Sequence, residues 1–403
     1  MTDYQYLSTR AVHAGRPAGI RHGPLVTPIV QSTTYLREDV DSPVEHAYSR
    51  VSNPTVDALE RQLGSLEDAP PAVCFSSGLA AETALFLAIL KAGDHVVCGR
   101  AIYGGTQRLL EQVLSQFGVE GTFVDSARTE HIERAIRPET KLVFVETPGN
   151  PTLALTDIAA VAEVTHHAGA ILAVDNTFLT ATLQRPLDLG ADISVYSTTK
   201  ITEGHSAALG GALCSRDAEL LGKLRFIRKS TGGIQTPFNA WLTLQGVKTL
   251  PLRIREQSRT AEALAKLLSK NDHVAYVNYP GLPDFPQADL ASRQHDQFHG
   301  QVVSFELVGG AEAARHTLRN LRLCSLVEHV GGLETLATHS ASMTHADVSP
   351  EQRHAVGVTE GLIRISAGLE DVREIADDLE QAIAEAHRGS SDAARRGPWA
   401  TAV

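Results

Sequence analysis

From about residue 56 the apolar positions fall into two alternating textures. Short, fully apolar runs of four to six residues read as buried strands: "AVCF" (72–75), "HVVC" (95–98), "GTFV" (121–124), "KLVFVE" (141–146), "AILAVD" (170–175), "ADISVY" (191–196) and "GGALC" (210–214). Between them lie stretches with apolar residues at helical spacing, among them "TVDALERQLGSLE", "SSGLAAETALFLAILKAG", "TQRLLEQVLSQFG", "EHIERAI" and "DIAAVAEVTHHAG". Strands without polar alternation, separated by helices, predict a mostly parallel, doubly wound α/β sheet covered on both faces. Residues 1–55, with Pro24, Pro28, Pro43 and Pro54, read as irregular. After "PFNAWLTLQGVKTLPLRIREQSRTAEALAKLLSK" (237–270), a long helical stretch bridging two domains, the pattern changes. "AYVNYP", "VVSFEL" and "LIRISAG" alternate with "AEAARHTLRNL" and "DVREIADDLEQAIAEAHR", which predicts a smaller α+β C-terminal domain. The boundaries drawn are an N-terminal arm (1–58), an α/β domain (59–255), a C-terminal α+β domain (256–387) and a frayed tail (388–403).

Composition narrows the function. The 403 residues are 43% hydrophobic, enough for a sizeable core. The formal net charge of −11 argues against nucleic acid and against an anionic membrane surface. No apolar run reaches membrane-spanning length, and "MTDYQYLSTRAVHAG" has no apolar signal core. Cys74, Cys98, Cys214 and Cys324 are scattered, and the first three stand in or at the end of strand-like runs. They read as buried, reduced thiols in a cytoplasmic protein. The 17 histidines are scattered and include no HExxH, so they read as surface or structural residues and no metal site is expected.

In open α/β sheets ligands bind beyond the carboxyl ends of the strands. Those ends carry chemistry here. After "AVCF" come Ser76, Ser77, Gly78 and Leu79 at the start of an apolar helix, where free N–H groups make an anion cradle. After "AILAV" comes Asp175, and after "ISVY" come Ser197, Thr199 and Lys200. A buried lysine is costly unless it is paired, neutralised or covalently bonded. Anion cradle, hydroxyls, carboxylate and lysine together are the set pyridoxal 5′-phosphate (PLP) requires. Its phosphate needs donors, its ring nitrogen stays protonated beside a carboxylate, and its aldehyde condenses with an amine.

The chain resembles the PLP-dependent enzymes of cysteine and methionine metabolism, the cystathionine γ-synthase, cystathionine γ-lyase and methionine γ-lyase group. The resemblance runs over roughly residues 8–387. It is carried by "AYSRVSNPTVDALE" (47–60), "SSGLAA" (76–81), "YGGT" (103–106), "ETPGNPT" (146–152), "VDNTF" (174–178), "STTK" (197–200), "YPGL" (279–282), "ETLATHSASMTHA" (334–346) and "LIRISAGLED" (362–371). It implies PLP fold type I with Lys200 as the Schiff-base lysine and later proton carrier, and Asp175 beside the pyridinium. Tyr103 would stack on the ring and assist proton transfer. Gly78, Leu79, Ser197 and Thr199 would hold the phosphate, and Asn150 and Arg364 the substrate carboxylate. Tyr48 and Arg50 would reach the neighbouring subunit's cofactor, which implies a homodimer, commonly paired into a tetramer. The implied reaction is elimination or replacement at the γ-carbon of cystathionine or homoserine-type amino acids. The alternative is thiol release by a methionine γ-lyase or a cysteine-conjugate β-lyase.

Some residues depart from the family pattern. His329 replaces a serine that usually sits near the substrate carboxylate; it could touch substrate, stack on the ring edge or fill space. Glu328 matches an acidic position that would attract the distal ammonium of cystathionine. Gly105 lacks the cysteine typical of methionine γ-lyases. Ala207, Gln245 and Ser340 replace a common aspartate, arginine-glycine pattern and proline. These changes leave room for a specialised sulfur amino acid.

Overall fold

A computed structural model of the chain describes residues 4–16, 22–346 and 348–395. Seven strands form the first sheet: β1 (Val73–Phe75), β2 (His95–Gly99), β3 (Glu120–Val124), β4 (Thr140–Glu146), β5 (Ile171–Asp175), β6 (Ile193–Tyr196) and β7 (Gly211–Cys214). Their spatial order is β1-β7-β6-β5-β4-β2-β3, and only β7 runs antiparallel to its neighbours. Chain order reverses at β2, which has β3 on one side and β4 on the other. β5 and β6 are buried apart from the half-buried Ile171, as helices on both faces demand. The second sheet, β8 (Val274–Asn278), β9 (Val302–Leu307), β10 (Ser325–Leu326), β11 (Leu336–His339) and β12 (Leu362–Ser366), is largely antiparallel in the order β10-β11-β12-β9-β8.

Local chemistry starts the helices. Asn53 caps Pro54–Leu66 by accepting the Thr55 N–H at 2.9 Å. Ser77 caps Gly78–Ile89, Asp157 caps Ile158–His167 and Asp217 caps Ala218–Thr231. The helix Pro237–Leu268 runs unbroken past residue 255, with Pro251 inside it, and packs on β8 and β9 of the second sheet and on the helices Leu7–His13 and Pro54–Leu66.

Three expectations need correction. Residues 7–13 are not irregular: Leu7–His13 is a helix, packed on Pro54–Leu66 and Pro237–Leu268. "TQRLLEQVLSQFG" is not one helix. An α-helical turn (Gly104–Arg108) passes into a π-helical turn (Leu109–Val113) and a 3₁₀ turn (Leu114–Phe117), stopped by Gly118 at φ +77°. The last helix, Val372–Arg395, carries on through the first half of the expected tail; residues 396–403 lie outside the described residues.

One buried ion pair ties the helix Pro54–Leu66 to the sheet. Glu60 and Arg228 are 4% and 2% exposed and bonded to each other, and both also bond the backbone of Cys74, in β1. Arg228→Met is expected to destabilise the fold by about 3–5 kcal/mol, because it strands a buried carboxylate. Thermal or urea unfolding measures this; an unchanged midpoint would show the pair to be dispensable.

Candidate active site

The carboxyl ends of β4, β5 and β6 open into a cavity of about 580 Å³. Its floor is the first sheet, and its far wall comes from β12 and the loop before β11. Gly78, Leu79, Tyr103, Asn150, Asp175, Ser197, Thr199, Lys200, Glu328, His329 and Arg364 all line it. Tyr48 and Arg50 do not line this cavity. The Arg50 guanidinium lies 5.2 Å from the Tyr48 ring centre and donates to Lys229 O at 2.7 Å.

One wall is acidic. The Asp175 carboxylate, at the end of β5, accepts the Thr177 N–H at 2.9 Å, and burial raises its pKa to about 6. Burial pushes Glu82 up to about 8, with Asp175 contributing, and its Oε2 has no partner. Glu146, also raised by burial and by Asp175, accepts the Tyr103 N–H at 2.8 Å. The opposite wall is basic. Burial, and then the nearby Arg364, lower the Lys200 pKa to about 8. Arg364 is buried on β12; it donates to Asn150 Oδ1 at 2.7 Å, to Thr338 Oγ1 at 3.0 Å and to the His329 carbonyl at 3.1 Å. Its Nε–H is buried without a partner. Lys200 Nζ stands 3.3 Å from His329 Nδ1.

These residues fit PLP. A Cβ on Gly78 would come within 2.9 Å of the Ser197 Cβ, so the helix N-terminus and the β6 end close tightly on one spot. That spot gathers free N–H groups with the Ser197 hydroxyl, as a phosphate needs. The Thr199 hydroxyl is bonded to Gly210 at 3.0 and 3.1 Å, and its one proton can go to Gly210 O or to an anion. The acidic wall matches a pyridinium N–H, because a cation there relieves the crowding of carboxylates that burial otherwise protonates. The lysine, with its lowered pKa, is a ready nucleophile toward an aldehyde. Gly105 is explained too: a side chain there would run into the Tyr103 ring and Leu79.

Glu82 and Glu146 were not expected in the site. Glu82 had a signal, as the one charged residue in "GLAAETALFLAI", one turn after Gly78. Thr338, which accepts from Arg364 at 3.0 Å, had none; Asn150, 214 positions from Arg364, was expected there only through the resemblance.

Comparison with known proteins adds identity to this geometry. The model of the Cys/Met metabolism PLP-dependent enzyme family matches residues 8–384. Cystathionine gamma-lyase of Mus musculus is 42% identical over 389 residues, covering 96% of this chain and 97% of that protein. L-methionine gamma-lyase of Porphyromonas gingivalis is 41% identical, over 93% and 96% of the two chains. The crystal structure of metB from Corynebacterium glutamicum superposes with a TM-score of 0.91 at 41% identity, covering 94% of this chain and 98% of that one.

Proposed function

The chain belongs to the family of Cys/Met metabolism PLP-dependent enzymes, and from that premise we propose that it cleaves the Cγ–S bond of cystathionine-type amino acids. It is a PLP-dependent enzyme of fold type I that acts on small amino-acid substrates. The observation that carries the reading is one cavity lined by Lys200, the Asp175 carboxylate and the Arg364 guanidinium.

Bound PLP supplies an electron sink that acidifies the substrate Cα–H. The chain's own residues do the rest. Gly78, Leu79, Ser197 and Thr199 hold the phosphate, and Asp175 keeps the ring nitrogen protonated. The planar Arg364 fork, presented by Asn150 and Thr338, takes the substrate carboxylate through its free Nε–H and a terminal nitrogen. Lys200 would move protons between Cα and Cβ, and Tyr103 would stack on the ring and assist proton transfer. Glu328, exposed at the mouth, attracts the distal ammonium of cystathionine. A second reading, thiol release from L-methionine, is favoured by the 41% identity to the Porphyromonas gingivalis enzyme. Glu328 and Gly105 weigh against it.

Tyr48 and Arg50 belong to a partner's site in this reading, so the unit is a homodimer, and dimers pair into a tetramer. The arm also exposes Leu36 (99%) and Val40 (81%), apolar side chains that a neighbouring subunit would cover. Residues 1–58 act as that arm, 59–255 hold PLP and 256–387 close over the substrate. The compartment proposed is the cytoplasm, supported by four buried, unpaired cysteines. Among the described residues no helix is long and apolar enough to cross a membrane.

The test is release of ammonia and 2-oxo acid by purified protein from L-cystathionine, L-methionine, and O-activated homoserine with cysteine. Turnover of L-cystathionine well above the others supports the proposal; preference for L-methionine overturns it. Glu328→Gln is expected to raise KM for L-cystathionine about 1.5- to fivefold, the worth of an exposed charge contact, and to leave L-methionine unaffected. Equal effects on both substrates would remove Glu328 from recognition.

A further inference from the structure

His329 stands where the resembled family commonly carries serine, and its ring reaches the amine of Lys200. Its Nδ1 faces Lys200 Nζ at 3.3 Å, while its Nε2 is buried in the cavity wall with no partner. The placement is rigid. Gly331, two residues on at φ +82°, packs so closely on Ile201 that a Cβ would lie 2.7 Å from the Ile201 Cα. The Gly331 N–H donates to Ser366 Oγ at 2.9 Å, and Gln257 holds the Gly332 carbonyl at 2.7 Å. The loop carrying His329 is thus fixed against the segment that carries Lys200.

A neutral imidazole has one donor nitrogen and one acceptor. When Nδ1 accepts from the lysine, Nε2 carries the hydrogen. A buried N–H without an acceptor costs about 1–3 kcal/mol, so the site is built for an acceptor on the ligand. The groups facing the ring are Lys200 and Arg364, with Glu328 adjacent in the chain and Glu146 and His345 beyond Arg364. Burial and the two cations hold the imidazole pKa near 4, which keeps the ring neutral and able to accept.

We propose that His329 relays a proton from Lys200 to the departing sulfur, receiving it at Nδ1 and delivering another from Nε2. The inference rests on the C–S cleavage reading above. As the C–S bond breaks, its electron pair leaves with sulfur. The lysine ammonium, having taken a carbon-bound proton from the substrate, gives one to Nδ1 as the Nε2 proton passes to the thiolate. The products are a neutral amine, a thiol and the other imidazole tautomer. The ring never bears net charge, which Lys200 and Arg364 would penalise.

Two thioethers test this on the holoenzyme. L-cystathionine releases an alkyl thiolate that needs a proton; S-(4-nitrophenyl)-L-homocysteine releases an aryl thiolate that does not. His329→Asn keeps an acceptor for Lys200 but cannot relay, and His329→Ala removes both functions. Loss of a general acid is expected to slow alkyl thiol release about 10²–10⁴-fold in both variants. Aryl thiol release should fall by less than about tenfold. Equal losses on the two substrates, or no loss on either, overturn the relay. Wild-type protein inert toward both would overturn the cleavage reading itself. A second readout does not use activity. Nitrogen-15 resonances of the histidines, recorded before and after removal of PLP with His329→Asn for assignment, should show residue 329 neutral at pH 7 with its hydrogen on Nε2 in the PLP-free protein. A hydrogen on Nδ1, or a charged ring at pH 7, contradicts the proposal.

Discussion

Replacing Lys200 with alanine is expected to abolish turnover of every sulfur amino acid, by more than about 10⁴-fold, while PLP still binds. The size follows from losing two functions at once, since the amine is both the covalent attachment point and the proton carrier. Retention of PLP follows from contacts the lysine does not make. The Gly78–Ser197 cradle and the Asp175 carboxylate stay in place without it, because Ser197 is held by Thr177 and Asp175 accepts a backbone N–H. Turnover is measured with L-cystathionine, and binding by dialysis and absorbance. Turnover above about one-thousandth of wild type would mean that another group carries the proton.

Arg364→Lys should cost nearly as much by a different route. Arg364 is fixed by three acceptors and offers a flat pair of donors; lysine is a point charge and cannot reproduce the fork. Truncating one partner of a buried, hydrogen-bonded charge pair costs about 2–5 kcal/mol. At 1.4 kcal/mol per tenfold, kcat/KM should fall about 30- to 4,000-fold. The loss should sit mainly in KM, and PLP absorbance should be unchanged, because the guanidinium contacts the substrate side of the cavity. A variant with unaltered KM would show that the carboxylate binds elsewhere.

Much of this site was legible in the chain because parallel strands are short, apolar and bounded. A strand such as "AILAVD" ends where its first charged residue appears, and in an open sheet that end is where ligands bind. Asp175 and Lys200 were therefore visible as chemistry, not only as motif matches. The glycine and serine at 77–78 announced the helix start in the same way. Three other features escaped for physical reasons. Leu7–His13 is too short to be a stable helix alone and forms by packing on two longer helices. The stretch 104–117 has a helical apolar pattern but passes through three hydrogen-bond registers that periodicity cannot separate. The place of Thr338 beside Arg364 depends on the register of β11 on β12, which no local pattern encodes.

Glu82 is the instructive miss. One acid in an apolar helix reads as an oddity of composition, yet it lies at the acidic wall beside Asp175. A buried carboxyl with an unpartnered oxygen costs stability, and functional sites are where such costs are retained.

The central claim is that the amine of residue 200 bonds the PLP aldehyde. Borohydride reduction of the PLP-loaded protein, followed by digestion and peptide mass mapping, tests it directly. The account predicts a pyridoxyl adduct on the peptide containing Lys200 and on no other lysine. An adduct on a different lysine, or none on any peptide, contradicts it.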